Sequence, residues 1–287
     1  MKSRISAKTK VCGVIGDPVE HTMSPVMHNA AFKKLGMDYR YLPFRVSKEE
    51  LGRTIADMRA LNIRGLNVTI PHKVAVIPFL DKLDPLAEEI DAVNTIVNDD
   101  GVLTGYNTDA TGFLQALLDN GVEPEGKRVV ILGAGGASRA ISFILAEKGA
   151  RLVILNRRLN RAKELARSIS RSSKDIAALK LDEANLAKAM EGAEVLVNAT
   201  SVGMSPDTGE TPLPARLLKP GLVVFDIVYN PVRTRLLREA EAAGARTISG
   251  IDMLVWQGAL AFEKWTGRQA PLELMKKEVI KALGYED

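Results

Sequence analysis

Short runs of β-branched and aliphatic residues alternate with helix-length amphipathic segments along nearly the whole chain. Such a chain builds parallel strands joined by helices, because each helix carries the backbone across the sheet to the next strand. A β-sandwich would lack the intervening helices, and a helical bundle would lack the strands. The pattern therefore predicts the α/β class.

The alternation occurs in two series, which are separated by the turn Glu123-Pro124-Glu125-Gly126. A length of 287 residues fits about two domains of ordinary size. We predict strands at residues 11–15, 39–44, 66–70, 95–97, 102–104, 129–132, 152–155, 195–199, 223–227 and 246–248. We predict helices at residues 25–35, 48–61, 111–120, 138–148, 252–265 and 272–283. Two α/β domains with helical closure follow from this order.

The composition excludes several other classes of protein. Hydrophobic residues make up 46% and charged residues 26% of the chain, and no apolar run approaches the ~20 residues of a membrane span. A net charge of +4 does not by itself indicate a nucleic-acid partner. The single cysteine, Cys12, excludes a disulfide framework within the chain, and the three histidines lack metal-ligand spacing. We therefore expect no metal site and a reducing, cytoplasmic location.

The second series opens with a buried strand that runs directly into a glycine-rich turn and then into a helix. Glycines let the backbone approach a pyrophosphate closely, and the helix N-terminus supplies free N–H groups. The pattern is incomplete because Ser138 occupies the third glycine position, and such turns also serve plain packing. The candidate cofactor-binding residues of the turn are Gly133, Ala134, Gly135, Gly136 and Ala137.

The next strand ends in Asn156-Arg157-Arg158, with Arg161 one helical turn later. An NAD site would present an acidic residue to the ribose hydroxyls here, whereas arginine suits the 2′-phosphate of NADP. Residues 151–174 contain eight basic residues and one acidic residue, so a solvated helix face or a nucleic-acid surface are the alternatives. The position at the end of a strand favours NADP.

Four polar clusters lie at predicted strand ends or turns of the first series, where α/β sheets gather their ligands. Hydroxyls, carboxamides, one ammonium and one carboxylate suit a small polyhydroxylated substrate. The clusters are residues 20–25, 67–73, 92–95 and 107–109.

Lys73 and Asp109 are the best acid–base pair that the clusters offer. Hydride transfer between an alcohol carbon and nicotinamide requires a proton to leave or join the oxygen, and a partly desolvated lysine can move it while a carboxylate orients it. The alternatives remain a solvated lysine after Pro71 and an aspartate that caps a helix.

These clusters and several later segments resemble those of the shikimate dehydrogenase family, and the resemblance extends from about Val11 to Leu283. The segments that carry it are residues 16–25, 67–73, 105–109, 156–158, 198–204, 226–231 and 253–258. It implies an N-terminal α/β substrate domain (1–109, with 252–287 packing back) and a Rossmann-like NADP-binding domain (110–251). It also implies an NADPH-dependent, reversible reduction of 3-dehydroshikimate to shikimate in aromatic amino-acid (chorismate) biosynthesis, by a monomer or a homodimer.

The resemblance also implies roles for individual residues. Lys73 and Asp109 would transfer the proton. Residues for the substrate carboxylate would be Thr22, Ser24 and Tyr229, and those for the ring hydroxyls would be Thr69, Asn94 and Gln257. Residues beside the nicotinamide or in the cofactor groove would be Gly250, Met253, Thr200 and Ile227.

Thr22 departs from the family, which usually has serine there. The added methyl lies at the carboxylate end, where quinate and shikimate differ, and a methyl is worth ~1–3 kcal/mol in discrimination. A quinate/shikimate dehydrogenase with relaxed substrate or NAD use is therefore an alternative. An alternative of another class is a non-catalytic module that senses NADP or a cyclitol acid.

Overall fold

The computed structural model divides into two compact units, each with its own six-stranded sheet. This arrangement confirms the predicted α/β class. The structure describes residues 5–170 and 175–285, so Arg171 and Lys174 of the basic stretch lie outside it. The first unit extends to Thr108 and resumes at Val255, and the second is Asp109–Leu254. Within the described ranges, none of the helices has both the length and the apolar character that crossing a membrane requires.

The first unit contains a mixed sheet. Its elements are β1 (Lys10–Gly16), α1 (Ser24–Lys34), β2 (Tyr39–Arg45), α2 (Leu51–Ala60), β3 (Gly65–Val68), β4 (Lys82–Leu83), α3 (Pro85–Ile90), β5 (Thr95–Asp99) and β6 (Val102–Tyr106). The strand order is β2-β1-β3-β5-β6-β4, with β5 antiparallel to β3 and β6. The strands predicted at 95–97 and 102–104 form a hairpin, and its turn residues Asp100 and Gly101 both have positive φ, as a type I′ turn requires.

The second sheet is entirely parallel. Its unit contains α4 (Thr108–Asp119), β7 (Arg128–Leu132), α5 (Gly136–Glu147), β8 (Arg151–Asn156), α6 (Leu159–Ile169), β9 (Ile176–Lys180), α7 (Glu183–Met190), β10 (Val195–Asn198), β11 (Val223–Asp226), α8 (Arg235–Ala242) and β12 (Arg246–Ser249). Read from β9, the order β9-β8-β7-β10-β11-β12 is the doubly wound order of dinucleotide-binding domains. The Rossmann-like prediction is thus confirmed.

Several elements were not predicted from the sequence. Strand β4 has only two residues, and β9 is an edge strand in which every residue is at least partly exposed. Helices α6 and α8 are rich in charged residues and bury one narrow stripe each. The sequence does not show that a narrow apolar stripe is sufficient to hold each helix on the sheet, because most helix stability comes from tertiary contacts.

The C-terminal helices α9 (Gly250–Thr266) and α10 (Leu272–Ala282) return the chain to the first unit, as predicted. Trp265, near the end of α9, donates its indole N–H to the carbonyl of Ile96 at 3.0 Å. Its own carbonyl accepts a hydrogen bond from Arg64 Nε at 2.8 Å. Gly65 makes this contact possible, because a Cβ there would lie 2.0 Å from Trp265 Nε1.

Candidate active site

Backbone hydrogen bonds join two of the polar clusters predicted in the first unit, residues 67–73 and 92–95, and place the end of β6 beside them. Strands β1 and β3 end side by side, where Thr69 N–H bonds the carbonyl of Ile15 at 2.9 Å. Val93 N–H then bonds the carbonyl of Lys73 at 2.8 Å, and Asn94 N–H bonds that of Tyr106 at 3.0 Å. Segments far apart in sequence therefore meet at one edge of the first sheet.

A fully buried hydrogen-bond network lies behind these segments. Tyr41 donates its hydroxyl to Asn67 Oδ1 at 2.6 Å, and Asn67 Nδ2 donates to Thr95 Oγ1 at 3.1 Å. Asn94 Nδ2 donates to Thr108 Oγ1 at 2.9 Å, while Thr108 N–H donates to Asn94 Oδ1 at 2.7 Å. Because each partner is buried and satisfied, the network fixes the Asn94 side chain and the start of α4.

Asn67 belongs to the predicted cluster 67–73, but the sequence assigns neither it nor Tyr41 an individual role. Tyr41 is 1% and Asn67 6% exposed, and both belong to strands whose neighbouring residues are mostly apolar. A polar side chain inside an otherwise apolar strand run is the signal that could have identified Asn67. Such groups need a partner when they are buried, and that partner was distant in sequence.

The predicted carboxylate-binding hydroxyls lie next to each other at the start of α1. Thr22 Oγ1 donates to Ser24 Oγ at 3.2 Å and accepts a hydrogen bond from Ser24 N–H at 3.3 Å. Ser24 is 6% exposed and is followed by Pro25, which suits the first turn of a helix. Two hydroxyls at a helix N-terminus form a favourable environment for an anionic group.

Lys73 and Asp109 occupy different local environments. Lys73 is half-buried on the segment after Thr69. Asp109 is 5% exposed and lies in the first turn of α4, which begins at Thr108, so it does not precede the helix as a cap would. The N-terminal turn of a helix stabilises a carboxylate through its unpaired N–H groups.

The glycine-rich turn in the second unit has the geometry of a dinucleotide site. Gly133 has a φ of +112°, and a Cβ there would lie 2.8 Å from the carbonyl oxygen of Ala199. Gly135 faces open space, since an added Cβ would meet no atom within 4 Å. Helix α5 begins at Gly136, so its first N–H groups point into this turn.

Ser138 explains why the glycine pattern is incomplete. The side chain is fully buried, and Ser138 Oγ donates to the carbonyl of Gly133 at 2.7 Å. A hydroxyl thus closes the turn from inside the helix, in the place where a glycine would allow close packing. The turn keeps its shape without a third glycine.

The predicted phosphate-binding arginines follow the neighbouring strand. Strands β7 and β8 are in register up to Leu132 and Leu155, so Asn156 lies beside the glycine turn. Three exposed arginines follow β8, namely Arg157, Arg158 and Arg161. Within the described residues, none of their guanidinium groups forms an ion pair with a carboxylate.

A second buried network holds the loops after β10 and β11. Asn198 Oδ1 accepts hydrogen bonds from Thr200 N–H at 3.1 Å and from Thr200 Oγ1 at 2.6 Å. Asn198 Nδ2 donates to Asp226 Oδ1 at 2.9 Å, and Thr234 Oγ1 donates to Asp226 Oδ2 at 2.7 Å. Burial raises the pKa of Asp226 to about 6. The network thus fixes Thr200, a predicted cofactor residue.

The remaining predicted residues lie on the loop after β11 and on α9. A Cβ on Gly250 would lie 2.4 Å from the carbonyl oxygen of Ile227, so α9 begins in close contact with that loop. Met253 is buried, whereas Tyr229 and Gln257 are half-buried. Among the residues that the structure describes, His, Cys, Asp and Glu form no group of three that could hold a metal ion.

Comparison with known families assigns three parts of the chain. Residues 14–96 match the shikimate dehydrogenase substrate binding domain. Residues 117–210 match shikimate/quinate 5-dehydrogenase, and residues 250–280 match the shikimate 5′-dehydrogenase C-terminal domain.

Individual relatives cover nearly the whole length. Shikimate dehydrogenase (NADP⁺) of Dehalococcoides mccartyi is 50% identical over 94% of this chain and 95% of its own. A crystal structure of a shikimate dehydrogenase with NADP⁺ is 42% identical, covers 98% of each chain and has a TM-score of 0.92. The shikimate 5-dehydrogenase of Thermus thermophilus, in complex with NADP(H) and shikimate, is 40% identical, with a TM-score of 0.86 over 95% of this chain and 99% of that chain.

Proposed function

The chain belongs to the shikimate dehydrogenase family, and from this premise we propose that it catalyses the NADPH-dependent, reversible reduction of 3-dehydroshikimate to shikimate. It is thus an oxidoreductase acting on a CH–OH group, with a role in aromatic amino-acid biosynthesis. Its partners are small molecules, and we place it in the cytoplasm. The observation that supports the proposal is the buried network through Asn94, which fixes the side chain of this one predicted substrate residue at the polar edge of the first sheet.

We assign the substrate to the polar edge of the first unit. Thr22 and Ser24 would bind the carboxylate, because their hydroxyls adjoin the N-terminus of α1. Thr69 and Asn94 would bind ring hydroxyls, since Thr69 follows β3 and Asn94 precedes β5 at this edge. Tyr229 and Gln257 complete the proposed set by family resemblance.

The second unit fits NADP. The open backbone at Gly135 and the N-terminus of α5 suit a pyrophosphate, and Gly133 to Ala137 form the turn around it. Asn156, Arg157, Arg158 and Arg161 would bind the ribose and its 2′-phosphate, because arginine binds phosphate in a bidentate manner.

Four further residues are assigned to the cofactor groove. Thr200 is fixed by Asn198, and the first turn of α9 contacts the loop after β11. We assign the groove to Thr200 and Ile227, and the neighbourhood of the nicotinamide to Gly250 and Met253.

The proposed chemistry needs one hydride and one proton. Bound NADPH supplies the hydride that makes the carbonyl carbon an alcohol carbon. We assign to Lys73 Nζ the proton that the oxygen takes up, and Lys73 then recovers a proton from solvent. Asp109 accepts a hydrogen bond from the same hydroxyl and so orients it. In the reverse direction, neutral Lys73 removes the hydroxyl proton.

Steady-state oxidation of shikimate by NADP⁺, followed at 340 nm, tests the proposal. Lys73→Met should lower kcat by ~10²–10⁴-fold, the range for general acid–base catalysis. Lys48→Met, an exposed lysine of the same unit, is the matched control and should leave kcat unchanged. No turnover by folded wild-type protein would refute the function, whereas a loss confined to KM would make Lys73 a binding residue.

Cofactor choice is tested separately. Arg157→Gln should raise KM for NADP⁺ and leave KM for NAD⁺ unchanged, because NAD⁺ has no 2′-phosphate. Arg53→Gln, an exposed arginine of the first unit, is the control. An equal effect on both cofactors would contradict the phosphate assignment. Measuring kcat/KM for quinate beside shikimate in the same assays tests the effect of Thr22.

A further inference from the structure

A row of charged residues lies at the amino-terminal edge of the second sheet. Arg128 and Arg151 begin β7 and β8 and are register partners, and Asp175 immediately precedes β9. Residues two apart in a strand share a face, so Arg151 lies on the same face as Val153. Like charges on directly paired strand positions repel each other. Glu194 neutralises part of this charge, since its Oε2 lies 3.9 Å from Arg151 Nη2, and Arg151 Nε donates to the carbonyl of Gly126 at 2.9 Å. Arg128 and Lys188 are the remaining cations beside the row.

A groove of about 290 Å³ opens beside this row. Its floor is formed by apolar side chains of β8 and β9. Helix α7 leaves the edge strand β9 partly uncovered, so Ala177 remains exposed in the groove. Three cations and one carboxylate line it. The lining residues are Arg128, Arg151, Leu152, Val153, Asp175, Ala177, Leu179, Lys188 and Ala189. The volume is at the low end for small-molecule sites, which suits a small ligand.

The guanidinium of Arg128 gives the groove its binding potential. Its Nε is buried and has no hydrogen-bond acceptor among the described residues. The nearby carboxylate of Glu194 is engaged elsewhere, since it accepts hydrogen bonds from Lys127 Nζ at 3.1 Å and from Arg128 N–H at 3.0 Å. Arg128 itself is half-buried and lines the groove, so an acceptor bound there would meet the guanidinium once the side chain turns outward, and would satisfy the Nε that the described protein atoms leave without a partner.

We propose that this groove binds a small organic anion with an apolar body. The anionic oxygens would bind Arg128 and Lys188, and the apolar part would lie on Ala177 and Leu179. The site is separate from the glycine turn, which follows β7 at Leu132, four residues and about 13 Å farther along the strand. It therefore belongs to neither the substrate site nor the cofactor site.

Phenylacetate is the probe, because it joins a carboxylate to an apolar ring. Binding is measured by ligand-observed NMR in the presence of saturating shikimate and NADPH, which occupy the proposed substrate and cofactor sites and cannot react with each other. Acetate supplies the charge without the ring, and benzyl alcohol supplies the ring without the charge. Phenylacetate should bind saturably, and each of the other two at least about tenfold more weakly.

Two variants localise the binding. Arg128→Gln removes the guanidinium, and Ala177→Phe fills the floor at an exposed position and so leaves the fold intact. Each should weaken phenylacetate binding about tenfold or more, whereas Arg53→Gln in the first unit should not. Absence of saturable binding to wild type, or unchanged binding to Ala177→Phe, would overturn the proposal. Loss of binding on adding NADPH would do the same, because the ligand would then occupy the cofactor site.

Discussion

His28 makes the acid stability of the first unit predictable. Its ring is fully buried on α1, with ring centroids 4.4 Å from Tyr41 and 5.2 Å from Trp265. Neither ring nitrogen has a hydrogen-bond partner among the described residues. Burial in this aromatic cluster lowers the pKa of His28 from 6.5 to about 3, because the charged imidazolium would lose its hydration.

The sign of the effect follows from proton binding. The folded state binds its His28 proton less readily than the unfolded state, so unfolding takes up a proton below pH 6.5. The stability that the neutral ring provides is complete above pH 6.5 and is lost as the pH falls towards 3. The difference between a pKa of 6.5 and one of about 3 corresponds to about 5 kcal/mol, of which about 2 kcal/mol is lost by pH 5.

His28→Phe removes this titration and retains an aromatic ring. At pH 7 its free energy of unfolding should lie within about 1.5 kcal/mol of wild type, as for a core substitution of similar volume. Relative to wild type, the variant should gain about 2 kcal/mol between pH 7 and pH 5. Urea unfolding followed by circular dichroism at several pH values measures this difference, and the carboxylates common to both proteins cancel.

His21→Gln is the matched control, because His21 is exposed. It keeps the buried ring of His28 and should therefore lose stability between pH 7 and pH 5 as wild type does. If wild type and His28→Phe lost stability in parallel between pH 7 and pH 5, the buried imidazole would not carry the acid sensitivity, and the reasoning would be refuted.

Three further predictions concern buried groups. Tyr41→Phe leaves Asn67 Oδ1 without its donor at 2.6 Å and should lower the free energy of unfolding by about 1–3 kcal/mol in urea; no change would mean that Asn67 finds another partner. Because burial raises the pKa of Asp226 from 3.8 to about 6, the stability that protonated Asp226 provides should fall by about 2 kcal/mol as the pH rises from 4 to 6, measured as the difference between wild type and Asp226→Asn. Asp226→Asn should lack that loss in the same titration, and a parallel curve would contradict the assignment. Gly65→Ala should destabilise by about 1–3 kcal/mol in thermal unfolding, because its Cβ would lie 2.0 Å from Trp265 Nε1. Gly209→Ala, which meets no atom within 4 Å, should differ from wild type by at most about 0.5 kcal/mol, and equal effects of the two would contradict the packing argument.

The sequence by itself determined the features that depend on neighbouring residues. The strand before Gly133, the glycine turn and the helix after it occupy consecutive positions, so their chemistry could be read directly. The same holds for the hairpin at Asp100-Gly101, whose turn type follows from two residues. Order along the chain also placed Arg157 directly after the strand that became β8. The resemblance of whole segments to one family supplied the proposed reaction.

Tertiary structure alone decided which buried polar groups have partners. Asn67 and Tyr41 are 26 residues apart, and Asn198 and Asp226 are 28 apart, so no local pattern pairs them. The exposure of Ala177 likewise depends on how far α7 covers the edge strand. These properties arise from desolvation, which is set by every element packed around a side chain, whereas strand, turn and helix preferences are set within a few residues.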